Sequence, residues 1–203
     1  MALILILGAT GRTGQEVLRA ARAAGHEVWG HGRRPVEGAD RSLGGPFDGA
    51  ELREAVERAD AVLSCLASTN SDPVCSTATR AALAVPRQAP LRILTVAGAG
   101  VDVAGDQKGM ADKAVGLLMR AVVGRMLADR QRETEMLLAS EARATVLRPP
   151  RLASGAPKGA WTFSFDRPAS LVIDRADLAR AMLEAVSRDD LVGRAPFVSG
   201  GRA

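Results

Sequence analysis

The sequence predicts an α/β fold: a doubly wound parallel sheet in a single domain covering residues 1–203. Three observations lead there. Short, strongly apolar runs alternate along the chain with segments whose apolar residues recur every three or four positions. Strands that apolar must be covered by helices on both faces, as in a parallel sheet. The first apolar run also ends directly in three glycines, Gly8, Gly11 and Gly14, which is how a Rossmann-type strand–loop–helix unit begins.

In chain order, Ala2–Leu7 (ALILIL) reads as a buried strand, because no basic residues precede it and it is too short for a secretory signal. A helix follows from near Thr13, over Gly14–Ala24, and then a strand at Glu27–His31. Helix Ala50–Ala59 precedes strand Ala61–Leu66, and a helical region around Thr77–Ala84 precedes strand Arg92–Val96. The long stretch from about Gly109 to Ser140 has helical periodicity, with Gly116 and Gly124 as sites for a kink. Thr145–Leu147 is the last core strand expected. Pro149–Ser170 is rich in Gly, Pro and Ala and is the least regular part, although WTFSFD within it suits a short edge strand. Asp177–Ser187 reads as a late helix. The chain has no internal repeat, low-complexity tail or long linker.

Composition narrows the function classes. No apolar stretch approaches the roughly 20 residues of a membrane span. Two cysteines, Cys65 and Cys75, and two histidines, His26 and His31, form no metal-ligand spacing and no disulfide framework, so a metal-free cytoplasmic domain is expected. The net charge of +4 invites a nucleic-acid reading. Against it, the arginines are scattered beside acidic residues, as in RQRETE (130–135), and aromatics make up only 3%. A mixed-sign solvated surface is the expectation, with no nucleic-acid or membrane partner.

The glycines carry the chemistry. A helix N-terminus presents unpaired N–H groups and a partial positive charge, which suit a pyrophosphate if no Cβ blocks its approach. Gly8 would permit the tight turn, Gly11 the close approach and Gly14 the packing of helix on strand, with Thr10, Arg12 and Thr13 completing the loop. The spacing G-x-x-G-x-x-G differs from the more familiar G-x-G-x-x-G. A tight glycine turn without a ligand is the competing reading. At the end of the second strand, EVWGHGRRP places Arg33 and Arg34 where a carboxylate would hold a free ribose hydroxyl. Guanidinium forks suit a 2′-phosphate, with Arg12 placed to reach the same group, so the expected cofactor is NADP(H).

These residues resemble the atypical short-chain dehydrogenase/reductases, the NAD(P)H-binding group that includes the NmrA-like proteins. GATGRTG is shared by that whole group, while ATVLRPPRL, GAWTFSFD and SLVIDRADLARAMLEAV are similar to the biliverdin reductase B and flavin reductase branch, so the likeness spans the chain. The resemblance implies that Pro149 and Pro150 lie beside the nicotinamide ribose and that Ala67 and Ser68 border the other ribose. It also has departures. There is no tyrosine, so the Tyr-x-x-x-Lys pair cannot exist, and Gly109 stands four residues before Lys113. The serine expected after the fifth strand is replaced by Ala97 and Gly98, and the histidine that follows the two prolines in the flavin reductases falls on Arg151.

Hydride transfer to a flavin, quinone or bilin needs little general-acid help, whereas a simple ketone needs a positioned proton donor. The expected activity is therefore reduction of a conjugated small-molecule acceptor by a monomer or homodimer. Arg151 is the candidate catalytic residue, offering charge to the acceptor; a plain surface arginine is its alternative. Arg148 should pair internally, Asp174 and Asp177 should cap a helix, and Cys65 should be inert packing. Trp161 and Phe163 either wall the substrate pocket or belong to the core. A redox-sensing regulator that binds NADP(H) without turnover, and a non-redox tailoring enzyme, remain open alternatives.

Overall fold

Five consecutive apolar residues build β1, Leu3–Leu7, and their alternation splits the core in two. Ile4 and Ile6 pack with Val17, Leu18 and Ala21 of helix α1 (Arg12–Ala23) and with Leu178 and Met182 of α5 (Arg175–Val186). Leu5 and Leu7 face the opposite layer, formed by α2 (Ala50–Arg58), α3 (Val74–Leu83) and α4 (Met110–Leu138). This period of two is what a strand covered on both faces requires. The computed structural model describes residues 1–69, 72–106 and 110–201, and only the backbone of residues 110–123.

The remaining strands of the central sheet are β2 (Glu27–His31), β3 (Arg41–Leu43), β4 (Ala61–Ser64), β5 (Arg92–Val96) and β6 (Arg143–Leu147). All are parallel, in the order β3-β2-β1-β4-β5-β6. The direction of winding reverses between β1 and β4, so the doubly wound fold opens a crevice at their carboxyl ends. Beyond β6, a parallel pair joins β7 (Arg151–Ala153) to β9 (Val172–Asp174), and an antiparallel pair joins β8 (Trp161–Ser164) to β10 (Phe197–Gly200).

Three-residue strands such as β3, β7 and β9 carry too little periodicity to be read from sequence, and the sequence reading omits them and β10. The long helical stretch forms one continuous helix, α4, through Gly116 and Gly124. RQRETE is only half solvated: Arg132 and Glu135 are exposed, but Arg130, Glu133 and Thr134 are buried. That correction has a simple cause, since residues 130, 133 and 134 share one helix face and that face meets the sheet. Trp161 and Phe163 pack against the core layer that includes α5, and the Trp161 Nε1–H donates to Glu184 at 2.7 Å. Among the described residues no helix is long and apolar enough to cross a membrane.

Candidate functional site

The glycine loop lies at the crevice. Gly8 takes φ +76°, and a Cβ there would stand 3.0 Å from the backbone of Cys65 and Leu66, just past β4. Its amide and that of Ala9 both donate to the His31 carbonyl at 3.0 Å, which ties the loop to the end of β2. A Cβ on Gly14 would stand 2.2 Å from the Gly8 oxygen, so this position lets α1 lie directly on the loop. Gly11 differs. It caps α1 in an extended conformation, and a Cβ on it would meet only the Gly8 oxygen, at 3.3 Å.

No side chain caps α1 and its first turn holds no acidic residue, so its leading N–H groups and dipole face the crevice uncompensated. Thr10 touches the end of β2, where a Cβ on Gly32 would be 2.7 Å from the Thr10 methyl group. Arg33 and Arg34 follow immediately. Both are exposed, as is Arg12, and none of the three side chains makes a hydrogen bond or an ion pair among the described residues. Thr13 is half-buried at the start of the helix. Backbone donors and unpaired guanidinium groups beside an open approach fit a dinucleotide diphosphate with a further phosphate.

Across the crevice, the segment after β4 splits in two. Ala67 is exposed, whereas Ser68 is buried and its hydroxyl donates inward to Asp129. At the ends of β5 and β6 the chain is held by backbone. The Ala97 amide donates to Leu147 and that of Ala99 to Pro149, each at 2.9 Å, with Gly98 between them at φ +98°. Pro149 is buried, Pro150 half-buried, and Arg151 exposed on β7 opposite Val172. Gly109 lies outside the described residues, as does the side chain of Lys113.

Arg148 is fully buried and pairs internally. Its guanidinium forks onto Asp106 at 2.7 and 2.8 Å, donates to the Ala195 carbonyl at 2.7 Å and stacks on Phe197. Asp174 and Asp177 correct a sequence expectation. Asp174 occupies the N-cap of α5, but it makes no cap hydrogen bond. It accepts from the Gly155 amide at 2.8 Å, while Asp177 accepts from Lys158 and Gly159 at 2.8 and 3.0 Å. Both carboxylates hold the loop after β7, whose free amides outcompete those of the helix. Burial pushes the thiols of Cys65 and Cys75 up to about 12 and about 11.

The sequence reading missed a buried polar cluster on α4. Asp129 accepts from the hydroxyls of Ser68 and Ser76 and from the amides of Cys75 and Ser76, at 3.0 and 3.4 Å. Desolvation raises its pKa, but these donors more than offset that and leave it below the usual carboxylate range. Arg130 donates to the Leu66 carbonyl and pairs with Glu133 at 2.7 Å; Glu133 accepts from Thr79 and Thr95 at 3.1 and 2.9 Å. A signal was present: Asp129, Arg130, Glu133 and Thr134 recur at helical spacing with Leu137, so polar residues occupy the face that Leu137 buries. Among the described residues no group of three or more His, Cys, Asp or Glu could hold a metal ion.

Comparison with known proteins agrees with this geometry. The NAD(P)H-binding family matches over residues 8–189. No curated protein sequence matches. A short-chain dehydrogenase/reductase from Veillonella parvula, solved with NADP, superposes with a TM-score of 0.78 at 18% identity, covering 98% of this chain and 94% of that one. A candidate NADH-flavin reductase from Streptococcus pneumoniae gives 0.79 at 16%, covering 99% and 100%. ChuY, an anaerobilin reductase from Escherichia coli O157:H7, gives 0.77 at 18%, covering 99% and 98%. At these identities the likeness is one of fold.

Proposed function

This chain belongs to the NAD(P)H-binding family, and from that premise we propose that it is a cytoplasmic NADPH-dependent reductase acting on a conjugated acceptor of flavin, quinone or bilin type. Residues 1–203 serve as one cofactor-binding domain, with 149–170 on the acceptor side, in a monomer or homodimer. The bound nicotinamide supplies the hydride. Gly8, Thr10, Gly11, Thr13 and Gly14 hold the diphosphate against the α1 N-terminus, and Arg12, Arg33 and Arg34 hold the 2′-phosphate. Ala67 and Ser68 line the ribose wall, Pro149 and Pro150 shape the nicotinamide end, and Arg151 orients the acceptor.

The observation that carries the acceptor class is the absence of tyrosine from the chain. At the ends of β5 and β6, Ala97 and Gly98 bring no side-chain hydroxyl to a ketone oxygen. A conjugated acceptor spreads the incoming charge and takes its proton from water. The activities named for the pneumococcal and Escherichia coli structures support the same class. Ala97 and Gly98 equally favour a second reading, an NADP(H) sensor without turnover. NADPH oxidation followed at 340 nm with FMN, a quinone and a bilin separates them. Turnover with any acceptor supports the reductase; binding without turnover supports the sensor; failure to bind NADPH overturns both.

A further inference from the structure

We infer that Asp129 and Arg130 are positioning residues for the dinucleotide, acting through residues 65–68 after β4 and touching no ligand themselves. The inference rests on the cofactor site proposed above. The backbone of Cys65 and Leu66 stands 3.0 Å from where a Gly8 Cβ would be, so this segment forms the wall of the crevice opposite the glycine loop. The β1–β4 ladder holds the wall only as far as Cys65, whose amide donates to the Leu7 carbonyl at 2.8 Å. Beyond that bond, two neighbouring side chains of α4 hold it.

Arg130 fixes the near end by donating to the Leu66 carbonyl, and it is itself held by Glu133, which is anchored on Thr79 and Thr95. Asp129 fixes the far end. It accepts from the Ser68 hydroxyl and, in the same grip, from the Cys75 and Ser76 amides in the first turn of α3. Pro73, at the N-cap of α3, has no side-chain oxygen to offer, so a carboxylate from another helix takes over the capping. One carboxylate thereby fixes both Ser68 and the start of α3. The cluster is costly to bury, and a buried pair of this kind adds little stability over apolar packing. What it does supply is one rigid position for the wall.

The test measures NADPH affinity by fluorescence titration and, separately, the thermal midpoint of the cofactor-free protein. The variants are Asp129→Asn, Arg130→Met, Arg130→Lys and Ser68→Ala. Gln131→Ala serves as control: Gln131 lies on the same helix, and its loss removes two bonds to the backbone of Asp102, after β5, without touching the wall. All titrations run well below each variant's midpoint. Asp129→Asn and Arg130→Met should raise the Kd about five- to twentyfold and Arg130→Lys less, while Gln131→Ala lowers the midpoint with Kd unchanged within twofold. Ser68→Ala combined with Asp129→Asn should bind no worse than the weaker single variant. Wild-type-like Kd values in folded Asp129→Asn or Arg130→Met overturn the inference, as does an additive double variant. If neither folds, Arg130→Lys and Ser68→Ala decide it: unchanged affinity in both overturns it. Wild-type protein that fails to bind NADPH overturns the site reading instead.

Discussion

Arg148 and Asp106 form a two-pronged ion pair at 2.7 and 2.8 Å, with side chains only 1% and 9% exposed. The pair joins the end of β6 to the loop after β5, and it carries the Pro149–Arg151 turn directly behind it. Removing one partner leaves the other charge buried and uncompensated, at a cost of about 3–5 kcal/mol. Asp106→Ala should therefore lower the thermal midpoint by roughly 10 °C in a chain of this size. A shift below about 2 °C would show that the loop relaxes and lets water reach the guanidinium.

Gly11 and Gly14 should separate binding from folding. Gly11→Val places its branch on the open side of an extended residue, so the protein should fold while NADPH affinity falls by about a hundredfold or more. Gly14→Ala puts a carbon 2.2 Å from the Gly8 oxygen and must displace α1, so stability falls as well. Circular dichroism with NADPH titration reads both. Undiminished binding by folded Gly11→Val would place the diphosphate elsewhere.

The proposed contact of Arg33 and Arg34 with the 2′-phosphate has a direct test in the choice of cofactor. NADPH should bind more tightly than NADH, and Arg33→Asp should erase about ten- to a hundredfold of that preference, the worth of a charge-assisted contact of roughly 1.5–3 kcal/mol. Equal Kd values for NADPH and NADH in the unmodified protein contradict this.

Arg151 is exposed on β7, past Pro149 and Pro150. Arg151→Ala should lower kcat/KM for the acceptor by about one to two orders of magnitude, or roughly 1.4–2.7 kcal/mol of transition-state stabilisation. NADPH Kd should stay within about twofold. Parallel loss of both would assign Arg151 to the cofactor instead.

The two thiols make stability depend on alkaline pH. Burial raises Cys65 to about 12 and Cys75 to about 11, above their unfolded values. Between those limits the native state keeps protons that the unfolded state releases, so stability is complete below about pH 8.5 and declines as pH rises. Denaturant titrations from pH 8 to 10.5 should show that decline, and Cys75→Ala should flatten it. Native protein at pH 8 should also resist thiol alkylation that the unfolded chain undergoes readily. Fast alkylation of the native protein would mean that Cys65 and Cys75 are accessible.

Much of the fold was legible because its determinants are local. Glu27–His31 and Arg92–Val96 form strands with the bounds that their apolar runs suggest, and Arg12–Ala23 follows the glycine loop as helical spacing requires. RR at 33–34 is readable for the same reason: the turn after β2 follows its strand in sequence. Arg130 and Glu133 were misread as solvated surface, because local charge alternation looks the same on a wet face and on a buried, paired one.

From the sequence alone come the parallel sheet with helices on both faces, the glycine loop at its first turn and the arginines beside it. Each depends on contacts within a few residues, where steric and capping rules act directly on neighbours. Only the tertiary structure decided that Asp129, from α4, caps α3 and holds Ser68, and that Arg148 is matched by Asp106. It also decided that Asp174 and Asp177 hold a loop while capping no helix. In each case the partner lies 18 to 61 residues away, and a charged side chain's burial is settled by which distant partner arrives to satisfy it.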